Sequence, residues 1–213
     1  MKRRVPAILA ASALALGAVQ ATAPAASAAK APGEDSLAAL LTSDGNTFDK
    51  NKNDFDIVTE AVLAVAKAKP SSPVTVLADG SKRVTAFAPT DQAFRLLAED
   101  LTGKTIKGEK KLFEALVELA GVDTIETILL YHVVPGQTLT SNKVLKADGA
   151  KLTTAQGGTV KVNIRGAKSM SIRLQDQDRD ARNPRVILSA TDINKGNKQV
   201  AHGIDRVLRP IDL

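Results

Sequence analysis

Over about 55–68, 90–101 and 109–129 the apolar residues fall mostly three and four positions apart, whereas beyond Thr159 they fall at every second position. The first spacing marks amphipathic helices and the second marks half-buried strands. Phe55, Val58, Val62, Val65 and Ala66 predict a helix over about 55–68, with Asn53 or Asp54 as its cap and Pro70 as its stop. Phe94, Leu97, Ala98 and Leu101 predict a second helix behind Thr90 as N-cap. Leu112, Leu116 and Leu119 predict a third over about 109–119, with these leucines inward. Asp123 and Glu126 have the spacing of a capping box in front of Ile125, Ile128 and Leu129. A further helix is expected to start there and to run into Tyr131-His132-Val133-Val134, which Pro135-Gly136 ends.

The strands are expected in two groups. Val74-Thr75-Val76-Leu77 and Val84-Thr85-Ala86-Phe87-Ala88 flank Asp79-Gly80 and read as a hairpin, because Asp-Gly tolerates the positive φ of tight turns. Later, Val160, Val162 and Ile164 alternate with polar residues, as do Met170, Ile172 and Leu174, predicting two antiparallel strands on either side of Gly166. Val186-Ile187-Leu188 and Gln199 to Ile204 add further strands, and Asp- and Asn-rich residues 42–54 form a loop. A helical block followed by a strand block, without a repeating strand-helix-strand period, predicts an α+β fold.

The N-terminus changes what the charge means. Lys2, Arg3 and Arg4 precede an apolar run from Val5 to Val19, and Ala26-Ser27-Ala28 supplies a cleavage pattern, so residues 1–29 read as a secretory signal peptide. The apolar run is too short for a membrane span, and no other stretch comes closer. Residues 30–36, with Pro32 and Gly33, read as a linker, and residues 37–213 as one domain. The chain carries 29 Lys and Arg against 23 Asp and Glu; without the three basic residues of the signal, 26 against 23 leaves +3. Such a surplus gives a soluble surface but not the clustered basic face of a nucleic-acid binder. The chain has no cysteine, so stability is expected from apolar burial without disulfides, and a lipid-modified N-terminal cysteine is excluded. Secretion, or non-covalent retention at the cell surface, is the expected location.

Three segments then stand out in order. Thr85-Ala86-Phe87-Ala88-Pro89-Thr90-Asp91-Gln92-Ala93-Phe94 resembles the first signature of fasciclin-type domains. Tyr131-His132-Val133-Val134-Pro135-Gly136 resembles their central Tyr-His segment, and Val200 to Pro210 their second signature. The resemblance covers residues 37–213 and implies a wedge-shaped β-sandwich packed against a small helical layer. It further implies an exported adhesion or matrix protein without catalytic activity, whose partner is a protein or a cell-envelope or matrix component. Two positions depart from the family pattern: Asn197-Lys198 stands where Asn-Gly is usual, and Gly203 where a bulky aliphatic residue is usual. The final strand is accordingly expected to be weakened or bulged at Gly203.

Candidate chemistry is sparse. His132 and His202 are the only histidines, and no serine nucleophile or second metal ligand can be set beside either from sequence. Val200, His202 and Ile204 share a strand face, so His202 is expected among aliphatics, neutral and hydrogen-bonded. His132 is expected to bond near Thr90 or Asp91 and to fasten the helical layer to the sheet. Asp176-x-Asp178-x-Asp180 and Asp49-x-Asn51-x-Asn53, the latter reaching Glu60, start like calcium loops, but neither has the turn glycine, and solvated loops are expected instead. Asp192-Ile193 resembles the pair that animal members of the family use in integrin contacts; in a chain with a bacterial-style export signal it is expected to be a strand end. Phe48 is the one aromatic outside the periodic segments, either an exposed contact or packed under its own loop. No catalytic residue, cofactor or metal is therefore assigned. The competing class is a small-ligand carrier or hydrolytic enzyme with a cleft between helices and sheet holding His132 beside Asp91 or Tyr131; a third reading is a purely structural wall or biofilm component.

Overall fold

Thr85, Phe87 and their alternating neighbours Val84, Ala86 and Ala88 give strand β1 (Val84–Pro89) two apolar faces, and the chain buries both. In the computed structural model, which describes residues 32–43, 45–166 and 170–211, β1 is the centre of a three-stranded sheet ordered β2-β1-β6. Strand β2 (Val133–Pro135) pairs antiparallel with β1, and β6 (Gln199–Ile204) pairs parallel along its whole length, from Val84 opposite Gln199 to Pro89 opposite Ile204. A second antiparallel sheet is ordered β3-β4-β5, with β3 at Lys151–Thr153, β4 at Thr159–Arg165 and β5 at Ser171–Gln175. The helices are α1 (Leu37–Leu41), α2 (Asp56–Ala68), α3 (Asp91–Thr102), α4 (Glu109–Tyr131) and the short α5 (Ser141–Val144). The signal peptide expected over residues 1–29 lies outside the described residues. Among the described residues no helix is long and apolar enough to cross a membrane.

Helices and strands are thus mixed as the periodicity predicts, and the β2-β1-β6 sheet separates two interiors. On one face Val84, Val133 and Ala201 pack against Ile57, Val65, Phe94 and Leu112 of the helices. On the other, Phe87, Val134 and Ile204 pack against Val160, Val162, Ile172 and Leu174 of the second sheet. The segment Arg185–Ile187 bridges the two sheets: Val186 N donates to Ile172 O at 2.9 Å, and Ile187 N donates to Gly203 O at 2.8 Å.

Several expected elements take another form. Val74–Leu77 is not a strand but part of a 3-10 helix over Pro73–Ala78, capped by Ser72 Oγ, which accepts Val74 N–H. The reason is topological: both edges of β1 are taken by β2 and β6, so a hairpin partner has nowhere to pair. Val186 to Leu188 forms isolated bridges and then a 3-10 turn at Leu188–Ala190 instead of a strand. The two helices expected over 109–119 and from Asp123 are real but continuous in space, α4 being interrupted at Gly121, whose φ of 72° breaks the helical path. Asp123 and Glu126 do not form a capping box; both carboxylates turn to Lys69. The final strand is not bulged at Gly203, since its register with β1 runs through unbroken.

Gln199 carries the anchoring of the N-terminal segment. Its side chain accepts Leu37 N–H at 2.8 Å and donates to Val76 O and Asp79 O, each at 2.8 Å. Residues 32–36, read from the sequence as a linker, include Gly33, which exchanges hydrogen bonds with Gly196 and Lys198.

Candidate functional site

The Tyr-His segment ends α4 and begins β2, and the His132 ring is buried at that junction. His132 is 4 % exposed; its Nδ1 lies 2.7 Å from Ile128 O, one turn back in α4, and its Nε2 accepts Leu208 N–H at 2.9 Å. One nitrogen donates and the other accepts, so the ring is neutral with both positions used. Burial lowers its pKa from the ordinary 6.5 to about 4, against a smaller opposing effect of the Ile128 carbonyl. The expected bond to Thr90 or Asp91 is absent; His132 fastens the end of α4 to the C-terminal segment.

His202 repeats this arrangement on the other side of β1. Its Nε2 donates to Leu139 O at 2.7 Å, its Nδ1 accepts Asp192 N–H at 3.3 Å, and its ring stacks obliquely on Phe87 at 6.0 Å between centroids. Burial again lowers its pKa. The aliphatic surroundings expected from Val200 and Ile204 are present, both side chains being buried. Tyr131, fully buried, donates its hydroxyl to Thr159 O at 2.8 Å, and burial raises its pKa to about 12.

A groove opens between α3 and α4, with a volume of about 340 Å³. Phe94, Leu97, Leu101, Leu116, Leu119 and Ile125 line it, and among the described residues His132 is the only titratable one on its wall. Leu101 and Leu119, expected inward from their spacing, stand on its rim at 37 % and 58 % exposure. Neither Asp91 nor Tyr131 reaches this groove.

The acidic stretches separate into satisfied and unsatisfied groups. In the loop before α2, Asp49 Oδ1 accepts Asn51 N–H and Asn51 Oδ1 accepts Asn53 N–H, while Glu60 pairs with Asn46, so the side chains of the calcium-like spacing are turned to the loop's own groups. In the second stretch, Arg209 takes the place a cation would hold. Its guanidinium donates to Asp178 Oδ2 at 3.1 Å and to Asp100 Oδ2 at 2.5 Å, and its backbone N–H donates to Asp176 Oδ2 at 3.0 Å. Asp192 is not the strand end expected but a bend with a φ of 58°, ahead of the isolated bridge of Ile193 to Ala201; its carboxylate accepts Ser141 N–H at 2.6 Å, Ser141 Oγ–H at 2.7 Å and Lys195 Nζ at 2.8 Å. Burial pushes this carboxyl up, but those donors outweigh it and hold the pKa at about 2. Phe48 is packed and not a free contact, its ring 5.8 Å from that of Phe113.

Asp91 has a role the sequence did not signal. Neither Asn53 nor Asp54 caps α2; the cap comes from another helix, Asp91 Oδ1 accepting Ile57 N–H at 3.0 Å. Thr90 sits at the N-cap of α3 without a side-chain bond. Asp54, Asp56 and Asp91 bring carboxylate oxygens within 4.8 Å of one another, as do Asp49, Asp56 and Glu109. These are the described residues whose arrangement fits a metal ion. Asp56 and Glu109 are buried first residues of helices and give no distinguishing pattern along the chain.

Comparison with known proteins adds three findings. Residues 58–210 match the model of the Fasciclin domain family. No curated protein matches the chain. Among solved structures it is similar to a FAS1 domain pair from the insect cell adhesion molecule fasciclin I, at 21% identity and a TM-score of 0.46, covering 70% of this chain and 44% of that one. The chain therefore spans less than half the length of that structure.

Proposed function

The chain belongs to the fasciclin domain family, and from that premise we propose that it is exported by the signal peptide at residues 1–29 and acts without catalysis, holding a cell or an envelope or matrix component by protein contact. Domains of this family are generally extracellular or surface-associated, non-enzymatic and engaged in protein interactions. The wedge-shaped sandwich of the family is our reading of how the two sheets face each other, supported by the Arg185–Ile187 bridge between them.

One observation carries the non-catalytic part. Both histidines spend every ring nitrogen on hydrogen bonds within the fold, and His132 has no titratable companion on the groove wall. A general base needs a free nitrogen within reach of a substrate proton, and neither ring keeps one. The test is retention: surfaces coated with the purified protein should hold cells of the producing organism or its isolated envelope above the level of a heat-denatured coat. Equal retention on both coats would refute adhesion.

Carriage of a small apolar ligand is a second reading, favoured by the apolar lining of the α3–α4 groove. It would be carried by an acyl-chain compound extractable from the protein as isolated, together with a coat that retains nothing.

A further inference from the structure

Asp91 lies at the first position of α3, and the loop that precedes α2 delivers Asp54 and Asp56 to it. The loop is fixed there by the backbone, Asp91 N donating to Asp54 O at 3.1 Å and Gln92 N donating to Lys52 O at 2.8 Å. Asp91 is fully buried and Asp56 is 5 % exposed. Asp91 Oδ1 is used by Ile57 N–H, but Asp91 Oδ2 and Asp54 Oδ1 are buried with no donor. A buried carboxylate oxygen without a partner is costly, and its usual relief is a proton, a donor or a metal ion.

We propose that Asp54, Asp56 and Asp91 bind a divalent cation, calcium in the setting of an exported protein, and that the bound ion pins the loop before α2 to the start of α3.

The charge balance points the same way. Glu109 is the nearby acid that is already neutralised, by Arg95 at 2.8 Å, which puts the ion on the Asp91 side of Asp56 rather than on the Asp49 side. An all-oxygen set of carboxylates on a loop and two helix starts suits calcium, with water completing the coordination, and exported modules of this kind bind with dissociation constants of about 0.1–1 mM. The remaining relief is a proton: burial, then the Asp54 carboxyl, then the charges of Asp54 and Glu109 push Asp91 up to about 8.

The experiment is a thermal melt of the purified protein, stripped with chelator and titrated with calcium chloride at about pH 8. The expected result is a saturable rise of about 5–10 °C. Asp91→Asn and Asp54→Asn should each abolish the response. Asp54 is the safer variant, because it does not cap α2. Absence of saturation at about 10 mM calcium and pH 8 would leave a proton-sharing carboxyl pair and overturn the site. A full response in Asp54→Asn would overturn it equally. Retention of cells on coated surfaces is read separately, so failure of this site leaves the adhesion reading standing.

Discussion

Replacing His132 with Ala is expected to lower the unfolding free energy near neutral pH by about 4 kcal/mol, as measured by chemical denaturation. The substitution opens a void where α4, β2 and the C-terminal segment meet. It also strips a donor from Ile128 O and an acceptor from Leu208 N–H, the latter buried and 76 residues away in the chain. Truncating a large buried side chain costs roughly 3–5 kcal/mol, and a buried amide left unpaired costs about 1–3 kcal/mol when the site does not relax. Because Leu208 N–H donates to His132 Nε2, His132→Gln, which can offer an amide oxygen, should recover part of the loss.

The cost should depend on pH with a definite sign. In the folded protein His132 titrates at about 4, below its ordinary 6.5, so between these values the unfolded chain binds the proton and the folded one does not. Stability from the neutral ring is therefore complete above pH 6.5 and declines as the pH falls toward 4. Across that window the penalty of His132→Ala should shrink by about 3 kcal/mol. The comparison between variant and parent is what isolates it. Asp176, whose pKa burial raises to about 6, and Asp91, raised to about 8, contribute stability that is lost as pH rises, opposing His132 in the parent's own profile.

Gly203→Val is the second large effect, expected to destabilise by about 3 kcal/mol. A Cβ at this position would stand 2.8 Å from Ala190 Cβ and 3.2 Å from Phe55 Cζ. The 3-10 turn at Leu188–Ala190 and the residue ahead of α2 thus occupy the space that the family's usual aliphatic residue would fill. No backbone strain is involved, since Gly203 has strand geometry and full register with Ala88. The clash is purely of side chains, and that makes it separable. Gly203→Ala combined with Ala190→Gly should be less destabilised than the sum of the two single changes, a coupling readable in a double-mutant cycle. Additivity would mean that the closeness to Ala190 is not what excludes a side chain there.

The parts of the fold that were legible are those whose pattern is local. Val160, Val162, Ile172 and Leu174 announce β4 and β5 because each faces one interior and alternates with solvent. Val84 to Ala88 announces β1, but nothing in Val74–Leu77 reveals that both edges of β1 are already filled, so an equally apolar run becomes a 3-10 helix. Leu101 and Leu119 follow the helical period faithfully and still end on the rim of a groove, because period reports a face and not what that face meets.

The site was legible to a lesser degree, for the same reason. Burial and neutrality of His202 follow from its strand neighbours, whereas the partner of His132 is an amide far along the chain. Asp91 lies inside a recognisable signature, yet its work, capping a different helix and closing on Asp54 and Asp56, exists only across elements. The chemistry of an acidic loop likewise depended on its surroundings: Arg209 neutralises Asp178, while Asp54 Oδ1 and Asp91 Oδ2 are buried without a donor.

Imidazole resonances followed by nuclear magnetic resonance from about pH 8 to about pH 4 test most directly whether the two histidines belong to the interior. Each should be a single neutral tautomer, protonated at Nδ1 in His132 and at Nε2 in His202, and His132 should not take up a second proton until pH about 4. Titration of His132 near 6.5 with exchange between tautomers would mean a ring open to water and free to act on a substrate, contrary to this account.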